Sequence, residues 1–309
     1  MPEETYPSVV VVGSLTMDFT ARSPRMPEKG ETVLGDTFTM VPGGKGNNQA
    51  LTSARQGVST SIVGCIGDDS IADLILEAVA AEGCDTSYLS SVPGPSGIAH
   101  IEVDHNGDNR IIMVPLANNS LTPKVVDYSE DLIKHCKVLL CQLEVPLESV
   151  QRALEIASRH GIYTILNPAP ARELDDSILK LVDLLIPNET EAALLTGIDT
   201  STREGSLEAA RELSARSMGD VCVTRGSSGS IIVQIGEKQE EETDIFSVNA
   251  IDATAAGDAF CGGLAASLAS GLSRKEAYRY ASACGALATT KHGALPSLPY
   301  RKDVLDLIG

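Results

Sequence analysis

Between residues 60 and 235 the sequence alternates short β-branched runs with helical periodicity. No other feature constrains the fold as much. Strands are expected at 60–65, 138–142, 163–167, 184–187, 221–225 and 230–234, and helices at 71–81, 148–160, 189–195 and 207–217. Parallel neighbours need a crossover of a dozen or more residues, usually a helix, so this order predicts a parallel sheet with helices on both faces. Val9-Val-Val-Val-Gly13 reads as the first strand, because an apolar run without alternation suits burial on both faces. The expected fold class is α/β, three layers in a single domain over residues 1–309. Neither an internal repeat nor a domain-splitting linker breaks the pattern.

Residues 19–42 depart from it. Pro24, Pro27, Gly30, Gly35 and Pro42 punctuate short alternating pieces at 31–34 and 37–41. These read as strands outside the main sheet. Segments 97–103 and 110–114, separated by the turn Asn106-Gly-Asp, share that character and are expected to join them. The result is a small β lid formed by about residues 17–42 and 97–115, whose exposed face predicts a homodimer through the lid. The acidic run 240–242 reads as a solvated hairpin turn.

Bulk properties narrow the function. A formal net charge of −18 excludes a general nucleic-acid surface, so any anionic ligand must be held by local devices. Residues 1–7 lack the basic start and apolar run of a signal peptide, and no apolar run is long enough to span a membrane. Seven cysteines without a Cys-x-x-Cys pair are expected to be reduced packing thiols, which points to the cytoplasm.

The chemistry is placed at Ile251-Asp-Ala-Thr-Ala-Ala-Gly-Asp-Ala-Phe260. Its small residues turn sharply into an apolar helix over 259–272, leaving N–H groups at the positive end of the helix dipole. Such an end receives phosphate oxygens. Asp258 in the same turn would repel an anion unless a proton transfer required it there. It therefore reads either as a base beside an anion hole or as an N-cap. Pro42-Gly-Gly-Lys-Gly-Asn-Asn-Gln-Ala50 opens a second helix, running to about Gly57. It lacks the phosphate-loop pattern, so its glycines are read as admitting a polar ligand, with Lys45 and Asn48 as contacts. Asp18, Gln142-Leu-Glu144, Asn167-Pro168, Pro187-Asn-Glu-Thr-Glu191 and Thr224-Arg-Gly-Ser-Ser-Gly229 all follow strands. Polar residues gathered at one edge of a parallel sheet are expected of a ligand crevice.

With these stretches in order, and with Asn167-Pro-Ala-Pro-Ala-Arg-Glu-Leu174 between them, the chain resembles the ribokinase-like carbohydrate kinases from Val9 to Leu307. The lysine in Gly-Gly-Lys-Gly-x-Asn-Gln-Ala resembles the ribokinase branch more than fructokinases or adenosine kinases. The resemblance implies the ribokinase-like fold and ATP-dependent phosphorylation of the 5-hydroxyl of a pentose, D-ribose first. By it, Asp258 matches the catalytic base, and the N–H groups of Ala255, Ala256, Gly257 and Asp258 match the anion hole. Asp18, Gly43, Gly44, Lys45, Asn48 and Glu144 match sugar contacts, together with Thr16 in the first loop. Asn188 and Glu191 match the group that organises Mg2+ and the phosphates through water. Thr224, Gly226 and Gly229 match the nucleotide turn. Asp252, the Thr254 carbonyl and Ser297 match a monovalent-cation loop for K+.

Two positions depart from that pattern. Ribokinases usually read Gly-Ser-x-Asn-x-Asp where this chain has Gly13-Ser-Leu-Thr-Met-Asp18. Thr16 in place of the amide makes 2-deoxyribose or another sugar a credible alternative substrate. Ala253 stands where the family often has Thr, a change in the loop and not in the base. A nucleoside kinase is a weaker fit, because a chain with no Trp and four Phe offers little surface to stack a base. A non-catalytic sugar sensor would have no use for Asp258 in that turn.

Overall fold

The structure, a computed structural model, describes residues 6–237 and 240–309. Most of the residues read above for a signal peptide lie outside that range. A nine-stranded sheet forms the middle layer among the described residues, in the order β13-β12-β11-β10-β9-β8-β1-β4-β5. Its parallel strands are β1 (Val9–Val12), β4 (Thr60–Ile66), β5 (Leu89–Ser91), β8 (Val138–Cys141), β9 (Tyr163–Leu166), β10 (Leu184–Leu185) and β11 (Asp220–Thr224). Two antiparallel strands, β12 (Ser230–Val233) and β13 (Glu241–Glu242), finish one edge.

β1 shows why its sequence is uniformly apolar. Val9 and Val11 join a core with helices Lys45–Arg55, Ala256–Ala269 and Arg274–Ala288. Val10 and Val12 join a second core on the other face, with helices Leu147–Arg159 and Arg203–Ser217. All four side chains are fully buried, each contributing on the order of 1.5–3 kcal/mol. Alternation survives, but both faces are dry.

A smaller four-stranded sheet, order β3-β2-β6-β7, is built from β2 (Thr16–Arg22), β3 (Thr37–Gly43), β6 (Gly97–Val103) and β7 (Asn109–Val114). β2 sits between β3 and β6 and runs parallel to β6. The expected first loop is thus the start of a strand of this sheet, and Thr16 and Asp18 lie on it.

Two local expectations are corrected. Residues 31–34 form no strand; they have no neighbouring strand to bond, and Leu34 is 87% exposed. The acidic run is not a solvated turn, because Glu241 and Glu242 pair with Ile232 and Ile231 in β13. Arg203 bridges to Glu240 and Glu242, and Arg211 to Glu240. Those cations allow three successive carboxylates to line the sheet edge.

Small residues bring the two key helices together. A methyl group added at Gly262 would run into the Gln49 carbonyl, and one at Gly263 into Cys284. Helix Ala256–Ala269 therefore lies tightly against helix Lys45–Arg55 on one side and Arg274–Ala288 on the other. Helix Lys45–Arg55 is itself pinned by Gly46, where a Cβ would come within 2.5 Å of the Ser14 amide nitrogen. Gly44 before it takes a positive φ of 92°, a conformation open to glycine.

Candidate active site

Ala255 adopts the left-handed conformation, φ 62°, and turns the chain into helix Ala256–Ala269. No side chain caps this end. The Ala256 N–H donates to the Ala253 carbonyl at 3.2 Å, whereas those of Ala255, Gly257 and Asp258 have no acceptor among the described residues. Three free donors remain at the positive helix end. They line a cleft with Lys45, Asn167, Asn188, Glu191 and Thr224.

Asp258 opens on the same cleft from the first helical turn and is 6% exposed. Its carboxylate accepts from Asn48 Nδ2 at 3.0 Å and Gln49 Nε2 at 2.9 Å. Lys45, one helical turn before Gln49, is held more firmly protonated than an ordinary lysine. The nearby Asp258 is the main cause; burial opposes it, and Glu144 and Glu191 add to it. A lysine beside three carboxylates keeps its charge in a site poor in water.

Glu144, beyond the end of β8, accepts from the Ser14 hydroxyl at 2.5 Å and from the Lys45 backbone N–H at 2.9 Å. Asp18 faces it from β2. Burial raises the Asp18 carboxyl to about 6; a hydrogen bond from Thr16 opposes this, and the charges of Glu144 and Asp258 reinforce it. The Asp18 carboxylate lies directly over Gly43, where any Cβ would overlap it.

At the other side of the cleft Asn188 and Glu191 form a reciprocal cap. Glu191 Oε2 accepts the Asn188 N–H at 2.9 Å, and Asn188 Oδ1 accepts the Glu191 N–H at 2.8 Å. Glu191 is 5% exposed, and burial raises its carboxyl above the usual range. An isolated bridge ties Asn188 to Thr224 at the end of β11.

A model of the pfkB family carbohydrate kinases matches residues 7–301. The chain belongs to that family. Among this kinase's relatives, the ribokinase of Haemophilus influenzae is 37% identical over 302 residues, covering 97% of this chain and 98% of the relative. The deoxyribokinase of Salmonella typhi is 38% identical over 256 residues, covering 82% and 83%. The structure of Arabidopsis thaliana ribokinase complexed with ribose and ATP superposes with a TM-score of 0.91 at 32% identity, covering 98% and 99% of the two chains. The kinase has the ribokinase-like fold.

The kinase's loop before the Ala256 helix is organised by Asp252. Asp252 Oδ1 accepts from the Thr254 N–H and hydroxyl at 2.9 and 2.6 Å, and Oδ2 accepts from the Gly293 N–H at 3.0 Å. Burial raises this carboxyl, but those hydrogen bonds outweigh it and hold it below the ordinary value. Ser297 is buried and donates to the Ala294 carbonyl at 2.7 Å.

The fold thus brings Lys45, Asn188, Glu191, Thr224 and residues 255–258 to one cleft. Gly226 and Gly229 do not line it; they shape the turn after β11, where the Arg225 N–H donates to the Gly229 carbonyl at 2.8 Å. The sequence placed Gln142 and Asn167 at the crevice edge without a role and did not single out Gln49, and the three form a buried amide chain behind Asp258. Gln142 and Asn167 each come directly after a strand, and Gln49 lies inside the glycine-rich stretch. Position was the available signal; their side-chain pairing was not visible.

Proposed function

We propose that this kinase transfers the terminal phosphoryl group of ATP to the 5-hydroxyl of a pentose, with D-ribose as the first substrate. One observation carries the reading: the Asp258 carboxylate opens on the same cleft as the free N–H groups of Ala255, Gly257 and Asp258. A proton acceptor beside an anion hole serves an alcohol attacking phosphorus and has little use otherwise.

Asp258 takes the proton as the sugar oxygen bonds to phosphorus and the bond to ADP breaks. The amide donors stabilise the equatorial oxygens of the transferring group, each worth about 2.7–4 kcal/mol where water is excluded. Asp18, Glu144, Lys45 and Asn48, with the backbone at Gly43 and Gly44, position the sugar. Asn48 Oδ1 is buried without a partner among the described residues, which suits a hydroxyl donor. Asn188, Glu191, Thr224 and the turn at Gly226 and Gly229 receive the nucleotide.

Among the described residues no cluster of His, Cys, Asp and Glu is arranged to hold a metal ion. A lone Glu191 fits Mg2+ that keeps its waters, and the oxygen-only set of Asp252, the Thr254 carbonyl and Ser297 fits K+. Bound Mg2+ would neutralise charge on the phosphates. The small sheet, residues 17–42 and 97–115, acts as a lid in a single-domain protein and excludes water that would compete with the sugar. Exposed Phe38, Met40, Ile111 and Ile112 on that sheet support a homodimer through it. Seven buried free cysteines support a cytoplasmic site of action.

A second substrate, 2-deoxyribose, is favoured by one contact. The Thr16 hydroxyl donates to Asp18 at 2.9 Å, so its proton is already engaged. ADP release measured with ribose and 2-deoxyribose, with Mg2+ and K+ present, tests both readings. Turnover on neither sugar would overturn the assignment.

A further inference from the structure

We infer that Gln49 and Gln142 are positioning residues that fix the Asp258 carboxylate for proton transfer, an inference that rests on Asp258 being the base. The amide chain behind Asp258 has a direction, and its two ends set it. At one end the Ile186 carbonyl, which can only accept, takes Asn167 Nδ2 at 2.9 Å. Asn167 must therefore turn its oxygen to Gln49, whose Nε2 donates to it at 3.1 Å. At the other end an ionised Asp258 can only accept, and the same Gln49 Nε2 donates to its Oδ1 at 2.9 Å. Both protons of the Gln49 amide are then engaged, and its oxygen faces the other way.

Gln142 completes that orientation by supplying the donor for the Gln49 oxygen. Its Nε2 donates to Gln49 Oε1 at 2.6 Å, so a flipped Gln49 amide would meet donor with donor. Gln142 is fully buried, and its own Oε1 has no partner among the described residues. That oxygen points over Gly13, where any Cβ would overlap it. An orphan buried acceptor is a local disadvantage that packing alone does not call for. Asn48 holds the second carboxylate oxygen, so the Gln49 bond fixes the remaining rotation about the side chain.

The variants Gln49→Met, Gln142→Met and the double variant keep side-chain length and remove the amides. Their kcat and sugar KM are compared with the wild type and with Asp258→Asn, on ribose and on 2-deoxyribose, after thermal melts confirm folding. Gln49→Met is expected to lower kcat about tenfold to a hundredfold, the range for losing a hydrogen bond to a charged group, with KM within about threefold. Gln142→Met is expected to lower kcat less. In the Gln49→Met background it should have no further effect, because it acts only through Gln49. Additive losses, or KM rising in step with the fall in kcat, would overturn the inference in favour of simple packing. So would wild-type kcat in Gln49→Met. If neither single variant folds, the pair serves the core and the inference fails. An inactive wild type, or an active Asp258→Asn, would instead refute the base assignment beneath it.

Discussion

Asn48 donates its side-chain amide to Asp258 Oδ2 at 3.0 Å, joining two helices whose partners lie 210 residues apart in the chain. One end of that bond stands in the proposed sugar site and the other at the proposed base. Replacing Asp258 by Asn keeps the volume and removes the proton acceptor. The expected outcome is a fall in kcat of about 10²–10⁴ with sugar affinity, measured by calorimetry, within a few fold. Retention of most of the activity would remove Asp258 from the mechanism.

Asp18 gives a pH dependence with a defined sign. Burial raises its carboxyl from 3.8 to about 6, against the Thr16 hydrogen bond. The folded state therefore holds the proton more tightly than the unfolded state. This group's contribution to stability rises as pH falls from about 6 towards 4. Sugar binding is expected to run the other way, since only the ionised carboxyl offers both oxygens as charged acceptors to sugar hydroxyls. KM for ribose is expected to rise about tenfold between pH 7.5 and pH 5. A flat KM over that range would mean that Asp18 does not contact the sugar.

Thr16 is expected to bias the choice between sugars. Its hydroxyl bonds Asp18 on its own strand, and an amide at that position has a longer reach and an extra donor. Thr16→Asn is expected to raise the ratio of kcat/KM for ribose over 2-deoxyribose by about fivefold to tenfold. An unchanged ratio would place the discrimination elsewhere in the pocket.

The Asp252 loop predicts cation activation. Asp252 ties Thr254 and Gly293 into one loop immediately before the Ala256 helix. Rates in K+ are expected to exceed those in tetramethylammonium, and Asp252→Ala should abolish the difference. Equal wild-type rates in both salts would remove K+ from the site.

Association through the small sheet is tested by Ile112→Glu, which puts a charge on an apolar face 64% exposed at that residue. Size-exclusion chromatography with light scattering is expected to show a dimer for the wild type and a monomer for the variant. A monomeric wild type would refute the dimer.

The order of elements, the Val9–Val12 strand buried on both faces and the polar strand ends were legible because they depend on local periodicity and on chain connectivity. The glycine-rich and small-residue stretches could be read as helix starts for the same reason. Residues 31–34 were misread because alternation alone cannot reveal whether a neighbouring strand exists. The run at 240–242 was misread because the arginines that neutralise it lie some 30 to 40 residues away.

By itself the sequence determined a parallel α/β sheet, a small-residue turn carrying an aspartate and the residue types at the crevice. Tertiary structure alone decided which groups meet. Asn48 and Gln49 reach Asp258 because Gly262 lets two helices close to backbone contact. It also decided that Asp18 holds its proton to about pH 6, because desolvation depends on what packs around a carboxylate and not on its neighbours in the chain.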